Sequence, residues 1–459
     1  MSIHITNTAF QLSEGVTKVL GDLGFKTLTP IQEDSFGPLL LGKDLVGQAQ
    51  TGSGKTVAFT VPILEKIITT DRNIQAIVLC PTRELSAQVT EQVRKLGRYK
   101  KNLIVVSLVG GTPFRSQMKS LEHGAHIIVG TPGRILDHLE RKTLELSSVK
   151  TVVLDEADRM LDMGFKENIE QILLEIPENR QTVFFSATFP TTIEALSKRF
   201  QQSPVKITAK ALEAPAIEER IYETKKENKL HTLISFLATQ KPESAIVFCN
   251  TKLMVDEISV ALSKAQICSE KLHGDLEQAD RQRVMAKFRN RSVQVLIATD
   301  VAARGIDVTG VETVINYDLP SDASVYVHRI GRTGRIGKVG LAVSLLTPNE
   351  MPKIKTIEQY TNRILKRMKW EATEALVNDS VVKLDTLYIG AGRKQKIRPT
   401  DILGALTGLG GCKGEQVGKI EILDNYTYVA INSEMTDYVV SVFKMGKIKN
   451  RKLLVQKVK

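Results

Sequence analysis

The sequence predicts an α/β protein with two tandem doubly wound parallel-sheet domains and a small α+β domain at its carboxyl end. Short apolar runs alternate with helix-like stretches through most of the chain, which is typical of parallel sheets covered by helices. The alternation stops once and then restarts, which indicates two such domains. The last part of the chain reads instead as strand, helix, two strands, helix and strand.

The predicted boundaries lie where the alternation stops. Because 459 residues exceed what one hydrophobic core fills, several domains are expected. The first domain is predicted at 1–205, a linker at 206–219, the second domain at 220–370, a linker at 371–380 and the third domain at 381–459.

The strands of the two larger domains are predicted at apolar runs of two to five residues. In the first domain these begin at Leu45, Ala76, Leu103, His126, Thr151 and Thr182. In the second they begin at Ala245, Val293, Thr313 and Ala342, and Ala245 is taken as the first strand. No Gly-Lys-Thr follows that strand, so one nucleotide per chain is expected.

A glycine-rich loop follows the first predicted strand and precedes a helix. Its residues are Ala49, Gln50, Thr51, Gly52, Ser53, Gly54, Lys55 and Thr56. In a phosphate-binding loop of this pattern the backbone N–H groups cradle phosphates, the lysine reaches the β/γ oxygens and the threonine holds Mg²⁺. Ala49 stands where the strict pattern has glycine. The alternative is a glycine turn with a surface lysine.

Three carboxylates follow the buried strand that begins at Thr151: Asp155, Glu156 and Asp158. The carboxyl ends of parallel strands line the crevice where such sheets bind ligands. Asp155 is therefore predicted in the magnesium shell and Glu156 as the group that orients the attacking water. The alternative is a helix start with an acidic first turn.

Composition and charge narrow the function classes. The composition is ordinary for a globular protein, no apolar run approaches the length of a membrane span, and a cytoplasmic protein without a membrane partner is expected. The four cysteines show no C-x-x-C spacing, so zinc and a disulfide framework are not expected. Of the net charge of +12, residues 1–205 carry +1, residues 206–380 carry +4 and residues 381–459 carry +7. Such a basic end is typical of a nucleic-acid-binding appendage.

These motifs occur in the order of a known family. The phosphate loop AQTGSGKT, the DEAD sequence at 155–158, SAT at 186–188 and HRIGRTGR at 328–335 resemble the DEAD-box RNA helicases. The resemblance runs from Phe10 to about Thr347. It implies two RecA-like lobes, ATP and Mg²⁺ as cofactors, and RNA as the partner.

The resemblance extends the nucleotide site beyond the phosphate loop. The segment from Gly24 to Gln32 resembles the adenine-recognition motif, in which a glutamine amide matches the N6/N7 edge of adenine. Gln32 and Thr27 are assigned to this role, Phe10 to packing on the base, and Asp307 to the ribose. A capped helix start is the alternative for Gln32.

Segments that follow strands are assigned to the RNA backbone. They offer hydroxyls, arginines and helix amino termini, which hold a nucleic acid without reading its bases. By resemblance they are Pro81, Thr82, Arg83, Gly110, Gly111, Thr131, Pro132 and Arg134 in the first domain, and Asn250, Thr299 and Arg304 in the second. Asp158, Ser186, Thr188 and His328 are assigned to coupling of the RNA and phosphate sites, with a plain strand end as the alternative for Ser186 and Thr188.

The arginines of the 328–335 segment are assigned to catalysis. His328, Arg329, Arg332 and Arg335 recur near helical spacing, so the three arginines are expected on one face. By resemblance, Arg332 and Arg335 act as arginine fingers. For Arg329 an interdomain ion pair is the alternative role.

The third domain resembles an RNA-recognition fold by its order of elements. That fold would bring Tyr426 and Tyr428 onto one face of its third strand, with Tyr388 beside them, for base stacking. Partly covered packing of these tyrosines is the alternative. Lys394, Lys396, Arg398 and Lys413 are predicted phosphate contacts, and a solvated face is the alternative for them.

The whole pattern favours an RNA-dependent ATPase that locally unwinds short RNA duplexes. The resemblance further implies that the third domain docks a monomer on structured large-subunit ribosomal RNA in a pre-ribosomal particle. Two rivals stay open. An ATP-gated RNA clamp would carry the same motifs, and a DNA motor or small-molecule kinase would share only the phosphate loop.

Overall fold

The chain divides into two compact units, the first ending at Ala214 and the second beginning at Pro215. The structure is a computed structural model that describes residues 12–49, 52–208, 217–303, 310–334, 339–370 and 382–458, and the side chains of Val301 and Ala303 lie outside the description. The predicted linker at 371–380 lies outside the described residues.

The first unit is a sheet of seven parallel strands in the order β3-β4-β2-β5-β6-β1-β7. The strands are β1 (Leu45–Gln48), β2 (Ala76–Leu79), β3 (Val105–Leu108), β4 (Ile127–Gly130), β5 (Thr151–Asp155), β6 (Gln181–Ser186) and β7 (Val205–Thr208). The central strands β2, β4, β5 and β6 are buried along their whole length, because helices cover both faces of a parallel sheet.

Nine helices among the described residues cover this sheet, and one apolar core lies on each of its faces. They are α1 (Glu14–Asp22), α2 (Pro30–Leu40), α3 (Lys55–Lys66), α4 (Arg83–Leu96), α5 (Phe114–Glu122), α6 (Pro132–Glu140), α7 (Ala157–Asp162), α8 (Lys166–Leu174) and α9 (Thr191–Phe200). Helix α3 starts directly at the phosphate loop and is buried from Val57 to Leu64, so the loop is joined to the core.

The second unit begins with another sheet of seven parallel strands, in the order β10-β11-β9-β12-β13-β8-β14. Its strands are β8 (Ile217–Glu223), β9 (Ala245–Cys249), β10 (Ser269–Leu272), β11 (Val295–Thr299), β12 (Thr313–Asn316), β13 (Gly340–Leu346) and β14 (Arg367–Lys369). Its helices are α10 (Lys229–Gln240), α11 (Lys252–Lys264), α12 (Gln278–Arg289), α13 (Asp300–Ala303), α14 (Ala323–Ile330) and α15 (Met351–Thr361).

The same unit ends in a small domain with an antiparallel sheet in the order β16-β17-β15-β18. Its strands are β15 (Leu384–Ile389), β16 (Val417–Ile422), β17 (Thr427–Asn432) and β18 (Val455–Lys457), and its helices are α16 (Pro399–Thr407) and α17 (Thr436–Phe443). The predicted order of strands and helices is confirmed, as is the fold class of the chain.

Some boundaries differ from the prediction. Strands β7 and β8 extend into the predicted linker at 206–219, and β8 precedes the strand at Ala245 that was taken as the first. Strand β8 contains the run Glu218-Glu219-Arg220, and the edge strands β10 and β14 are equally polar. Edge strands and their neighbours lack the continuous apolar run by which a central parallel strand is predicted.

Among the described residues, the longest apolar helices fall short of what crossing a membrane requires. The four cysteines are free thiols, and Cys80, Cys249 and Cys412 are buried.

Candidate nucleotide and RNA site

The predicted nucleotide-binding residues follow three neighbouring strands of the first sheet. The phosphate loop follows β1, Asp155 ends β5 and Ser186 ends β6, and the sheet order makes these strands adjacent. The Ala49 N–H donates to the Ser186 carbonyl over 3.0 Å, which joins the start of the loop to β6. Because the strands are parallel, these groups converge at one edge.

The phosphate loop is closed by its own lysine. The Lys55 ammonium is buried and donates to the Ala49 carbonyl over 2.9 Å. Gly54 precedes the first turn of α3 with φ 96°, a left-handed conformation that glycine adopts at low cost. Helix α3 then presents its amino terminus to the loop, as phosphate binding requires. Gln50 and Thr51 lie outside the described residues.

Gln32 braces the phosphate loop from α2. Its amide nitrogen donates to the Gly54 carbonyl over 3.1 Å, and its amide oxygen accepts from the Thr29 N–H over 3.0 Å. A Cβ on Gly54 would lie 2.3 Å from this amide nitrogen, so only glycine permits the contact. Thr29 and Gln32 form the capping box of α2, which is the alternative that the sequence left open. Adenine recognition by Gln32 stays a prediction.

One other residue assigned to the base site, Thr27, lies among the described residues. Thr27 is exposed in the loop before α2. Phe10 and Asp307 lie outside the described residues, so their assignments to the base and the ribose stay predictions.

Asp155 is a buried carboxylate at the end of β5 that suits a cation. It is 3% exposed, and burial raises its pKa to about 6, although the positive charge of Lys55 opposes the shift. Its Oδ1 atom has no hydrogen-bond partner among the described residues. A buried acceptor without a donor is costly unless a ligand completes it. Together with the Thr56 hydroxyl at the start of α3, Asp155 fits the oxygen-ligand preference of Mg²⁺.

Glu156 adopts a left-handed conformation, φ 54° and ψ 53°, between β5 and α7. Its carboxylate accepts from the Arg159 guanidinium over 2.7 Å, and both side chains are largely buried. The turn sends Glu156 away from the strand direction while Asp155 still belongs to β5.

Asp158 is joined to the end of β6 by several hydrogen bonds. Its Oδ2 atom accepts from the Thr188 hydroxyl and the Thr188 N–H, each over 2.9 Å, and the Ser186 hydroxyl accepts from the Asp158 N–H over 3.3 Å. Burial alone would raise the pKa of Asp158, but the donors at Thr188 and Ser186 hold it below its ordinary value. The predicted contact between Asp158, Ser186 and Thr188 is therefore present in the structure.

The segments assigned to the RNA backbone follow β2, β3 and β4, the other half of the same edge. Pro81 and Thr82 are buried at the start of α4, where the Thr82 hydroxyl caps the helix, and Arg83 is exposed. A Cβ on Gly110 would lie 2.9 Å from the Arg83 guanidinium, which lies beside the Gly110-Gly111 turn. Thr131 and Pro132 start α6.

Arg134 joins two of these segments. Its guanidinium donates to the Thr112 carbonyl over 3.0 Å and to the Gln117 side-chain oxygen over 2.8 Å. Thr112 follows the Gly110-Gly111 turn, so the segments after β3 and β4 are held together by this side chain.

Sequence reasoning missed Gln117 and His138 behind Arg134. The buried Gln117 amide donates to the Val109 carbonyl over 2.8 Å, and its oxygen lies 3.1 Å from His138 Nε2, which donates to it. Burial lowers the pKa of His138 to about 4, so the ring is neutral near pH 7. The available signal was spacing, because His138 lies one helical turn after Arg134 on α6.

In the second unit, Arg329 is part of a buried network. Its guanidinium pairs in two-pronged fashion with Asp300 at 2.6 and 2.7 Å and also donates to the Asn250 side-chain oxygen over 3.0 Å. Arg329 is 2% exposed. The carboxylate partner of Arg329 belongs to the same sheet domain, so this contact does not support the interdomain ion pair that was the alternative role for Arg329.

Arg329 and Arg332 do not share one helical face. Helix α14 ends at Ile330, so Arg332 lies beyond the helix that contains Arg329. His328 is exposed on α14, and Arg332 is half-buried. Arg335 and Arg304 lie outside the described residues, and their roles stay predictions.

Asn250 and Thr299 end neighbouring strands of the second sheet. Besides accepting from Arg329, the Asn250 amide donates to the Leu319 carbonyl over 3.0 Å, so its side chain serves the buried network. Thr299 is the last residue of β11 and is buried. RNA contact by Thr299 stays a prediction.

The tyrosine face of the third domain is covered. Tyr428 is 5% exposed and packs with Ala286 of α12 and with Val458. The tyrosines Tyr388, Tyr426 and Tyr428 contact one another, with ring centroids 5.3 to 6.0 Å apart. Base stacking on Tyr428 is therefore wrong for this arrangement, because α12 occupies the face. The phosphate-contact candidates Lys394, Lys396, Arg398 and Lys413 are all exposed.

Three family profiles match the chain in sequence. The family described as DEAD/DEAH box helicase matches residues 29–196, the helicase conserved C-terminal domain matches residues 225–337, and the DbpA RNA binding domain matches residues 386–457. The two helicase matches fall on the two parallel-sheet domains, and the third falls on the small antiparallel domain.

Known proteins and solved structures agree with these matches. The chain is 43% identical to the ATP-dependent RNA helicase DbpA of Escherichia coli K12, covering 96% of each chain, and 48% identical to the helicase CshA of Bacillus cereus over 78% of this chain and 68% of that one. Saccharomyces cerevisiae Dbp5 bound to RNA and ADP BeF3 superposes with a TM-score of 0.71 at 32% identity, covering 78% of this chain and 94% of that one. The DEAD-box helicase Mss116 bound to single-stranded RNA and UDP-BeF gives 0.73 at 29% identity, with 82% and 81% covered. Given this similarity along the whole chain, it belongs to the DEAD-box ATP-dependent RNA helicases and carries a DbpA-type RNA-binding domain at its carboxyl end.

Proposed function

We propose that this helicase is an RNA-dependent ATPase that locally separates short RNA duplexes while its third domain holds structured large-subunit ribosomal RNA. On this proposal it acts as a monomer on pre-ribosomal particles in the cytoplasm. The proposal has two parts, a coupled motor and an RNA address, and each has its own support and test.

One observation supports the proposal of a coupled motor. Along one edge of the first sheet, β1, β5 and β6 present the nucleotide set and β2, β3 and β4 present the RNA-backbone set. Asp158 follows β5, the strand beside β2, and its carboxylate is bonded to Thr188 after β6. A shift of the segment after β6 on ATP binding therefore moves this carboxylate and the residues that follow β5, the strand next to the RNA half of the edge.

The residues of the nucleotide half divide the work of hydrolysis. Lys55 leaves the Ala49 carbonyl to meet the phosphates, and the amino terminus of α3 accepts their negative charge. Thr56 and Asp155 would hold Mg²⁺, which neutralises charge on the phosphate oxygens when bound. Glu156 orients the attacking water and accepts its proton.

The second lobe supplies the remaining charge. Arg332 and Arg335 act as arginine fingers on the γ-phosphate when the lobes close, a role supported by their match to the family segment. Because RNA and ATP both favour the closed state, each raises the affinity for the other. The closed state accepts a bent single strand, which separates a short duplex, and hydrolysis releases it.

The motor is tested by ATP turnover with RNA, with DNA and with neither. ATP turnover should be stimulated by RNA and not by DNA, and stimulation by DNA would contradict the assignment. A strand-displacement assay on a short RNA duplex separates an unwinding enzyme from an ATP-gated clamp, which binds RNA without displacing a strand. Glu156→Gln is the matched variant, because it should bind ATP and RNA yet hydrolyse slowly.

The RNA address is supported by the exposed basic residues of the third domain. Lys394 lies within the short turn at Arg393–Gln395 and Lys396 follows it, and the Lys449 ammonium donates to the Lys396 carbonyl over 2.8 Å, which brings the loops before α16 and after α17 together. These loops carry eight lysines and arginines among 393–398 and 447–452, which suits a phosphate backbone.

The address is tested with the variant Lys394→Ala/Lys396→Ala in the full chain. Stimulation by ribosomal RNA should weaken and the log–log salt dependence of RNA binding should flatten by about 0.7 to 0.9 per lost contact. Lys241→Ala/Lys264→Ala is the control. These exposed lysines lie at the carboxyl ends of α10 and α11, at the edge of the second sheet opposite the carboxyl ends of its strands. An unchanged preference for ribosomal RNA over a homopolymer would contradict the address.

A further inference from the structure

The covered tyrosine face defines a contact inside the second unit. Tyr428 of β17, the third strand of the small domain, packs with Tyr388 of the neighbouring strand β15 and with Tyr426, which lies just before β17. This tyrosine face, made of those three residues, packs against α12 of the second parallel-sheet domain, with Ala286 in contact with Tyr428. In an RNA-recognition fold this is the face that reads bases, and here α12 covers it.

Polar contacts surround the apolar centre of this interface. The Arg289 guanidinium of α12 pairs with the Glu421 carboxylate of β16 through two bonds of 2.7 and 3.1 Å. The Tyr426 hydroxyl donates to the Gln282 side-chain oxygen over 2.5 Å. Two-pronged pairing of arginine with carboxylate is directional, so it fixes orientation as well as contact.

A second group of contacts extends the interface beyond the end of α12. The Thr386 hydroxyl of β15 lies 2.6 Å from the Ser292 hydroxyl and 3.3 Å from the Asn290 amide nitrogen. All three side chains are buried. Buried hydroxyls and amides that pair across two domains are costly to separate unless water replaces each bond.

The other end of α12 reaches the predicted RNA edge of the second lobe. The Arg281 guanidinium, one turn into the helix, donates to the Ala302 carbonyl over 3.3 Å. Ala302 follows β11, whose last residue, Thr299, is assigned to the RNA backbone. One helix of twelve residues therefore contacts the small domain along one side and the segment after β11 near its start.

We propose that the tyrosine face is a protein-docking surface that fixes the third domain on α12, so that RNA captured by the third domain is delivered to the second lobe in a set position. The proposal rests on the proposed function, because it needs RNA to bind both domains. The tyrosines act as the centre of an intramolecular interface, and RNA is left to the exposed basic loops.

Fixed positioning has a measurable advantage over a loose tether. RNA held by a docked domain meets the motor at a high effective concentration, whereas an undocked domain spreads the same RNA through a larger volume. Structured RNA that engages both domains should therefore stimulate turnover at lower concentration in the docked protein. A homopolymer that engages only the lobes gains nothing from docking.

The test is a charge swap across the interface in the full-length protein. Glu421→Arg and Arg289→Glu each put like charges in contact, and each should raise the concentration of structured ribosomal RNA needed for half-maximal ATPase stimulation about tenfold. The double variant restores the pair in reverse and should return the value to within about threefold of the wild type. Half-maximal stimulation by a homopolymer should not change in any of the three.

The controls carry the same charge changes away from the interface. Glu415→Arg changes an exposed residue just before β16, in the same domain as Glu421. Arg291→Glu changes an exposed residue after α12 that pairs with Glu243 of its own domain at 2.6 Å. Small-angle scattering should show a larger radius of gyration for the two single interface variants than for these controls.

Three outcomes decide the matter. Single variants that behave like their controls would overturn docking while the proposed function stands. Single variants that bind a homopolymer more tightly than their controls would also overturn it, because the released face would then be an RNA platform covered by α12. A wild-type protein that no RNA stimulates would instead overturn the proposed function, whatever the swap does.

Discussion

The two parallel-sheet domains have the same strand order, but they differ in how a lysine and an aspartate at matching positions are paired. If the strands of each sheet are numbered from their first strand, both sheets have the order 3-4-2-5-6-1-7. In both, a lysine is the first residue of the helix after the first strand: Lys55 begins α3 and Lys229 begins α10. In both, an aspartate comes at or just after the fifth strand, Asp155 in one and Asp318 in the other.

The difference lies in how each lysine is neutralised. Lys229 lies 3.0 Å from Glu350 and 3.3 Å from Asp318, so its charge is balanced inside the domain. Lys55 donates to a carbonyl, and the Asp155 Oδ1 atom near it has no hydrogen-bond partner among the described residues. Topology therefore provides the positions, and the neighbouring side chains decide whether a ligand is needed to complete them.

The largest effects are expected from removing each lysine, which tests whether Lys55 and Lys229 have different roles. Lys55→Ala should abolish ATP turnover while the domain stays folded, because the loop loses its phosphate contact and only one hydrogen bond, to the Ala49 carbonyl. Lys229→Ala should preserve turnover in the fraction that folds but destabilise its domain by about 3 to 5 kcal/mol, since two carboxylates lose their cation. Turnover assays and urea unfolding of both variants measure this. Near-normal turnover in folded Lys55→Ala would refute the assignment.

The arginines provide the second comparison. Arg335→Ala should lower RNA-stimulated turnover by about 10³-fold with a smaller change in ATP affinity, as for the loss of an arginine finger. Arg329→Ala should act through stability, because it leaves Asp300 without its partner. Steady-state kinetics and thermal unfolding separate the two effects. Turnover of Arg335→Ala within about threefold of wild type would exclude the role.

The contributions of Asp155 and Glu350 to stability should change with pH in opposite directions. The raised pKa of Asp155, about 6, means that its contribution to stability is present at low pH and is lost as pH rises through 6. Although burial acts against it, Lys229 keeps the pKa of Glu350 below its ordinary value, so the Glu350 contribution is lost as pH falls through that lowered value. Magnesium-nucleotide affinity should drop about tenfold per pH unit below 6, because Asp155 must release a proton.

Calorimetric titration with a magnesium nucleotide at several pH values checks this. Asp155→Asn is the control, since its weaker binding should not vary with pH in this range. A flat profile in the wild type would show that Asp155 does not bind the cation as a carboxylate.

The smallest expected effect concerns the link after β6. Thr188→Val removes one hydrogen bond to Asp158 and leaves the two backbone bonds from Ala187 and Thr188. Strand displacement should fall about tenfold, in line with a hydrogen bond to a charged group, while RNA-stimulated turnover falls less. Equal losses in both assays would show that Thr188 serves hydrolysis and does not couple it to unwinding.

The parts of the site that could be predicted from sequence are those fixed by local pattern. The phosphate loop and Asp155 follow apolar strands directly, so their position at the carboxyl edge needed no knowledge of packing. The pairing of Lys229 with Glu350 could not be predicted, because the two residues are brought together only by the folded sheet. Partly covered packing of Tyr428 was the alternative, but the covering element, α12, could not be predicted for the same reason, since alternation in a strand shows that one face is apolar but not what lies on it.

The helix cap at Gln32 shows the limit in another way. The residues Thr29 to Gln32 satisfy a capping pattern and an adenine-recognition pattern with the same letters. Local sequence cannot rank two uses of one amide, and the bond from Gln32 to the Gly54 carbonyl belongs to neither pattern.

The backbone of Glu156 carries a further consequence for the durability of the enzyme. A side chain other than glycine in the left-handed region costs about 1 to 2 kcal/mol, and Glu156 occupies that region at φ 54°. Glycine at this position would relax the turn but would also remove the ion pair with Arg159. Because breaking a buried ion pair is destabilising, the pair with Arg159 offsets the backbone cost of the carboxylate that, on the proposed function, orients the attacking water.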